Sequence, residues 1–150
     1  VAERRSQRLA VVVMLAEREE QAAAARLGEQ RGTLEREQQQ LAQLQDYRTQ
    51  YIQDYQQLRS GATPQALMSY SGFLQRLGEA VTGQEQRLAQ VRTLLEQCRA
   101  QWQEKYHRRR SLQELVERLK VEEDTVLEQR LQRELDDLAA QRFTRDSGDY

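Results

Sequence analysis

Apolar residues recur every three to four positions along almost the whole chain, and a single short stretch interrupts them. Before the interruption one heptad frame fits. Val13, Leu27, Leu34, Leu41 and Tyr55 take its a positions, and Leu9, Ala16, Ala23, Leu44, Tyr51 and Leu58 its d positions. After it the frame is cleaner. Leu67, Leu74, Val81, Leu88, Leu95, Trp102 and Val116 take a, while Tyr70, Leu77, Val91, Cys98, Leu112, Leu119 and Val126 take d. A repeat sustained this long predicts a coiled coil. Polar residues break the seam at Glu20, Gln30, Glu37 and Arg48 in the first segment. They break it at Gln84, Lys105, Arg109 and Glu123 in the second.

The interruption is Arg59-Ser60-Gly61-Ala62-Thr63-Pro64, which holds the only proline. Gly61 is suited to end a helix in the left-handed conformation. Thr63 is suited to cap the next helix, with Pro64 as its first residue, where no amide hydrogen is needed. Gly28, Gly32, Gly72, Gly78 and Gly83 are flanked by helix formers and should soften a helix without ending it. The fold expected is all-α: a long two-helix antiparallel coiled-coil hairpin in one domain, 1–150. Helix 1 covers about 2–58, the turn 59–63, helix 2 about 64–142, and a frayed tail 143–150. A turn this short makes the helices antiparallel neighbours. Residue i should then lie near residue 122 − i.

That register places Glu17 near Lys105, and Glu19 and Glu20 close to the basic segment 105–110. At ~1.5 Å per residue the helices should reach roughly 80 Å and 115 Å, so the second overhangs the first. Beyond Val126 the apolar pattern shifts to Leu127, Leu131, Leu135 and Leu138, which have no intramolecular partner in this register. They are free to meet another protein. A longer native N-terminus, suggested by Val1 in place of an initiator Met, or a different loop pairing, would instead cover them.

Composition narrows the class. Of 150 residues 38% are hydrophobic and 31% charged, which suits a long helical chain better than a thick-cored globule. Disorder is disfavoured, because leucine keeps helical spacing and the polar residues are mostly Gln, Glu and Arg. The net charge of -1 gives no global field toward nucleic acid or anionic lipid. The lone Cys98 allows no disulfide within the chain and fits a reducing compartment, so a cytoplasmic location is expected. No apolar run approaches the roughly 20 residues of a membrane span.

Little of the sequence suggests chemistry. Gly78 to Gly83 has the glycine spacing of a phosphate-binding loop, but Gln84 and Glu85 stand where lysine and a hydroxyl are needed. His107 is the only histidine, and Cys98 sits at a seam position as a small thiol. No nucleophile, base and orienting group assemble. No catalytic residue, cofactor or metal site is assigned. The acidic groups Glu122, Glu123, Asp124 and Asp136, Asp137 read as solvated faces. The basic run 108–110, with Lys105 and His107 beside Trp102 and Tyr106, is the best nucleic-acid candidate. It faces acidic residues in the expected register, so charge balance is the preferred reading and no nucleic-acid partner is assigned. Arg4, Arg5 and Arg8 form a smaller basic patch.

Near the turn, Gln40 and Tyr47 take g positions in the first helix, and Phe73 and Ala80 take g positions in the second. The g positions of an antiparallel pair line one flank, with Leu44, Tyr51, Leu77 and Gln84 beside them at d. An aromatic outside the seam of a two-helix structure has little apolar cover, and exposed aromatic patches mark partner surfaces. The plainer reading is that Phe73 and Tyr47 stack together to widen the core.

At these residues the chain resembles the FliJ family of flagellar type III export proteins, from about Arg8 to Arg142. The most specific part is Asp46-Tyr47 to Tyr55, then Gly61, Tyr70, Phe73-Leu74, Leu77 and Ala80-Val81. Leu9-Ala10 to Leu15-Ala16-Glu17-Arg18 looks like the family's opening. The resemblance implies a cytoplasmic coiled coil similar in fold to the central γ stalk of rotary ATPases, lying at the inner membrane through its partners. It would promote ring assembly of the hexameric export ATPase FliI, contact the export gate protein FlhA and bind export chaperones. The family's gate-contacting patch maps onto Gln40, Leu44, Tyr47, Tyr51, Phe73, Leu77, Ala80 and Gln84, where Gln84 departs from the histidine that relatives can carry. By analogy with the γ stalk, Arg4, Arg5, Arg8, Leu127, Leu131 and Leu135 are ATPase-facing. The implied mechanism is mechanical: a stiff rod coupling ring to gate. The alternative from the heptads alone is a generic scaffold or tether that dimerises through its overhang.

Overall fold

Two runs of helix formers separated by one cluster of breakers give two helices in the computed structural model, which describes residues 4–148. Helix α1 spans Arg5–Leu58 and helix α2 spans Pro64–Ser147, with no strand among the described residues. The chain is all-α, as the heptads predict. Position 1, positions 2 and 3 at the start of the expected helix 1, and Asp149 and Tyr150 at the end of the tail lie outside the described residues.

Thr63 caps α2 as expected: its Oγ1 accepts a hydrogen bond from the Ala66 amide at 3.2 Å. The close of α1 differs from expectation. No glycine has a positive φ, so Gly61 is not a left-handed cap. Its amide instead donates to the Leu58 carbonyl at 3.2 Å, an i to i+3 bond that tightens the last turn. The distal end differs too, since α2 runs past Arg142 to Ser147. There the Thr144 and Ser147 hydroxyls donate to the carbonyls of Ala140 and Phe143, at 2.7 and 2.5 Å. These short polar side chains bond their own helix instead of ending it.

The chain divides into two compact units. Unit 1 comprises 1–20 and 104–150, and unit 2 comprises 21–103. Both helices run unbroken through the division.

Unit 2 contains the turn and most of the buried seam. Ala23 and Leu27 of α1, and Leu77, Val81, Leu88, Val91 and Leu95 of α2, are buried, all at expected a or d positions. Leu58, expected at d, is 51% exposed because it is the last helical residue and nothing packs beyond it. The polar seam residues Glu37 and Gln84 meet: Gln84 Nε2 donates to the Glu37 backbone carbonyl at 3.1 Å and to its Oε2 at 2.5 Å. Their numbers sum to 121, close to the expected register.

Unit 1 is more sparsely packed, with Ala16 and Val116 as its buried apolar residues. Lys105 pairs with Glu19 at 3.1 Å and Arg109 with Glu20. Glu17, expected near Lys105, instead accepts a bond from Gln113 Nε2 at 3.0 Å. Glu17–Gln113 and Glu20–Arg109 thus meet above the expected register, whereas Glu37 and Gln84 meet close to it. Val126, expected in the seam, is 48% exposed, because the described part of α1 reaches no farther than the level of Glu123.

Substitutions at two positions test this packing and capping. Leu88→Ala, at a position only 2% exposed, should lower stability by about 3 kcal/mol. Thr63→Ala should lower it by about 1 kcal/mol and Thr63→Ser by much less. Urea unfolding followed by helical circular dichroism reads both.

Candidate partner-docking surfaces

In unit 2 the two helices bring five aromatic rings together. Tyr51 stacks on Tyr70 at 4.2 Å between centroids, and Tyr55 also stacks on Tyr70, at 5.6 Å. Phe73 lies 4.6 Å from Tyr51 and meets Tyr47 edge-on at 6.3 Å. The Arg76 guanidinium stands 6.0 Å from the Phe73 ring. Burial, with the neighbouring charges of Tyr51 and Asp54, raises the Tyr70 phenol above its ordinary pKa, so it stays a neutral hydrogen-bonding group. Phe73 is half-buried under Tyr51 and Tyr47, while Tyr47 keeps 51% of its surface exposed. The cluster therefore both widens the seam and presents an aromatic face.

The eight residues mapped here divide. Tyr47, Tyr51 and Phe73 form one contact cluster. Gln40 and Ala80 are exposed, Leu44 is half-buried, and Leu77 is buried in the seam. Gln84 is held by Glu37, whose carboxylate also pairs with Arg87 at 3.1 Å. Tyr55, Tyr70 and Arg76 belong to the cluster but were not assigned to the surface. The i to i+3 spacing of Arg76 from Phe73 was the available signal.

In unit 1 the basic segment is largely engaged within the chain. Arg109 forks onto Glu20, with Nη2 to Oε1 at 3.2 Å, donates to Gln113 Oε1 at 2.7 Å, and lies over the Tyr106 ring at 5.1 Å. The bond to Glu20 raises its already high pKa, and Lys105 holds the Glu19 carboxyl below its usual range. Arg110 pairs with Glu114 one turn on, at 3.4 Å.

At the far end of unit 1, Glu123 accepts bonds from the Ser6 amide at 3.0 Å and the Ser6 hydroxyl at 2.6 Å. Arg4 reaches Asp124 at 3.4 Å. Beside these contacts lies an open groove of about 430 Å³ whose lining includes Arg4, Arg5, Glu122, Val126, Leu127 and Arg130. Arg8 is exposed. Farther along α2, Leu131, Leu135, Leu138 and Phe143 are between 51% and 77% exposed. On α1, Val11, Met14 and Leu15 are also exposed. Of the fifteen large apolar side chains exposed among the described residues, eleven belong to unit 1.

Among the described residues no group of three or more His, Cys, Asp or Glu is placed to hold a metal ion. No described helix is long and apolar enough to cross a membrane. Cys98 is half-buried in the seam.

The family model described as "Flagellar FliJ protein" matches residues 5–148. The flagellar FliJ protein of Escherichia coli (strain K12) is 33% identical over 111 residues, covering 73% of this chain and 76% of that protein. No solved structure matches the chain.

The pH dependence of stability follows from the Ser6 contact, which holds the Glu123 carboxyl below its usual range. A carboxylate depressed in the folded state stabilises the fold fully above its unfolded pKa. That contribution is lost as the pH falls through the unfolded value to the folded one. Glu123 and Glu19 share this sign. Melting temperature should therefore fall as the pH drops through the ordinary carboxylate range and below it. Glu123→Gln should melt lower at neutral pH and show a shallower acid slope. An unchanged slope would contradict the assignment.

Proposed function

This chain belongs to the flagellar FliJ family, and we propose that it is a non-catalytic, stalk-like component of the flagellar type III export apparatus. It promotes assembly of the export ATPase FliI into its ring and couples that ring to the export gate protein FlhA. It also binds export chaperones. It works on the cytoplasmic side of the inner membrane, held there through its partners.

The observation that carries this reading is the concentration of uncovered apolar surface in unit 1. Leu127 lines the groove with Arg4 and Arg5, Leu131 and Leu135 follow it along α2 and are exposed, and Arg8 is exposed near the start of α1. Leucine side chains left in water at helical spacing are stabilised when a partner covers them. A ring that closes around this segment would do so. In unit 2, Tyr47 above Phe73 and Tyr51 supplies an aromatic anchor for a second partner, the gate. Gln40, Leu44, Leu77, Ala80 and Gln84 surround or support it. Leu77 acts from within the seam, and Gln84 acts by fixing the register.

Coupling in this scheme is mechanical. Each helix passes without a break from unit 1 into unit 2, so a displacement imposed on the backbone in one has a covalent and hydrogen-bonded path into the other. No step requires acid–base or metal chemistry from this chain.

The same leucines favour one competing reading, a scaffold that dimerises through α2 without an ATPase partner. ATP hydrolysis and ring assembly by the purified cognate ATPase, titrated with this chain, separate the two. The stalk reading expects stimulation with ring formation. Removing residues 127–150 should then weaken stimulation far more than Phe73→Ala does. Phe73→Ala and Tyr47→Ala should instead weaken binding to the gate protein by about tenfold or more, the effect of a hot-spot residue. No stimulation and no assembly, with a stable dimer in sedimentation, would favour the scaffold.

A further inference from the structure

Five glycines lie inside the helices, and all five fall in unit 2: Gly28 and Gly32 in α1, Gly72, Gly78 and Gly83 in α2. The helical residues of unit 1 contain none. A glycine in a helix interior is less favourable than alanine by about 1 kcal/mol, because its backbone has more freedom to lose. A chain that elsewhere fills exposed positions with Ala, Gln, Glu and Arg thus accepts the same penalty five times in one segment.

Nothing within the chain requires it. None of the five has a positive φ. A methyl group built on Gly28, Gly72, Gly78 or Gly83 would meet no atom within 4 Å, and on Gly32 only the movable end of Arg36, at 3.5 Å. No turn, close helix approach or strained backbone explains them. Unit 2 also holds the better seam, with Ala23, Leu27, Leu77, Val81, Leu88, Val91 and Leu95 buried. Its two helices are therefore firmly joined to each other while each backbone is locally soft.

We propose that unit 2 is a compliant segment. The seam keeps the helices paired, and the glycines let each helix bend and twist under load without separating from its partner. This goes beyond the coupling function: transmission would be elastic through unit 2, and the softness is a selected property. Helix amides near the glycines open locally more often than amides of equal exposure in unit 1.

The test uses the full chain with all five glycines changed to alanine. Hydrogen exchange should slow by about fivefold at the amides flanking each site, the rate equivalent of the ~1 kcal/mol difference in helix propensity. Thermal unfolding should move upward. In a strain whose swimming depends on this chain, the more stable variant should restore at most half of the wild-type spreading in soft agar. Intermediate sets should lose motility in proportion to the number of alanines. Adding glycine at the exposed positions Gln39 and Gln86 of the five-alanine chain should recover motility. Unchanged exchange, or full motility of the five-alanine chain, would overturn the proposal. So would loss confined to one position such as Gly83→Ala and not recovered by the new glycines, which would identify a close backbone contact with a partner instead.

Discussion

A pair of helices has one seam, and everything else in the structure depends on holding that seam in a single register. Leucine, valine and alanine at a and d drive pairing but say little about sliding, because a shift by one heptad restores apolar contact almost everywhere. Polar residues within the seam remove that degeneracy. Glu37 meets Gln84, Glu20 meets Arg109, and Ser6 meets Glu123. Any slip would set a half-buried carboxylate or guanidinium against apolar neighbours. The cost of stranding such a group exceeds what the matched pair contributes, so these pairs act chiefly by excluding the wrong alignments. Among the described residues no buried side-chain nitrogen or oxygen lacks a hydrogen-bond partner, consistent with one settled register.

The Ser6–Glu123 contact has a second role. The first turn of α1 contains no acidic residue, and Arg4, Arg5 and Arg8 place positive charge at the end of the helix that favours negative charge. The missing anion comes from α2, where the Glu123 carboxylate accepts the Ser6 amide as well as its hydroxyl. One helix thus caps the other across the seam. Formation of the first turn of α1 depends on its docking against α2, and the arginines remain in place as a surface next to an open groove.

The heptad frame was legible because it rests on periodicity, and nearly every a and d residue it names is buried or half-buried. Leu58 and Val126 were misread for one reason: periodicity does not report where the partner helix ends. Gly61 was misread because its composition fits a left-handed cap, whereas the turn closes through an i to i+3 bond that leaves no trace in residue type. The tail beyond Arg142 looked frayed, yet Thr144 and Ser147 bond back to their own helix. In the aromatic region, spacing identified Tyr47 and Phe73 as neighbours but could not divide surface from seam. Leu77 and Gln84 share a flank with them on a helical wheel. Leu77 is 7% exposed, and Gln84 is tied to Glu37. The pairing of Glu37 with Gln84 was within reach, since both were visible as seam interruptions whose numbers nearly sum to the register.

The two units resolve the same constraint in opposite ways. Unit 2 buries a long seam and leaves a compact aromatic face. Unit 1 buries Ala16 and Val116 and leaves leucines, valines and a phenylalanine in water. Its helices are held by ion pairs, Lys105 with Glu19 and Arg109 with Glu20, which fix alignment while covering little apolar area. Surface of that kind is costly for a chain acting alone, and it becomes favourable when a partner encloses it. In the stalk reading proposed above, a partner would supply that enclosure at unit 1, while unit 2 offers a buried seam and a half-covered aromatic face.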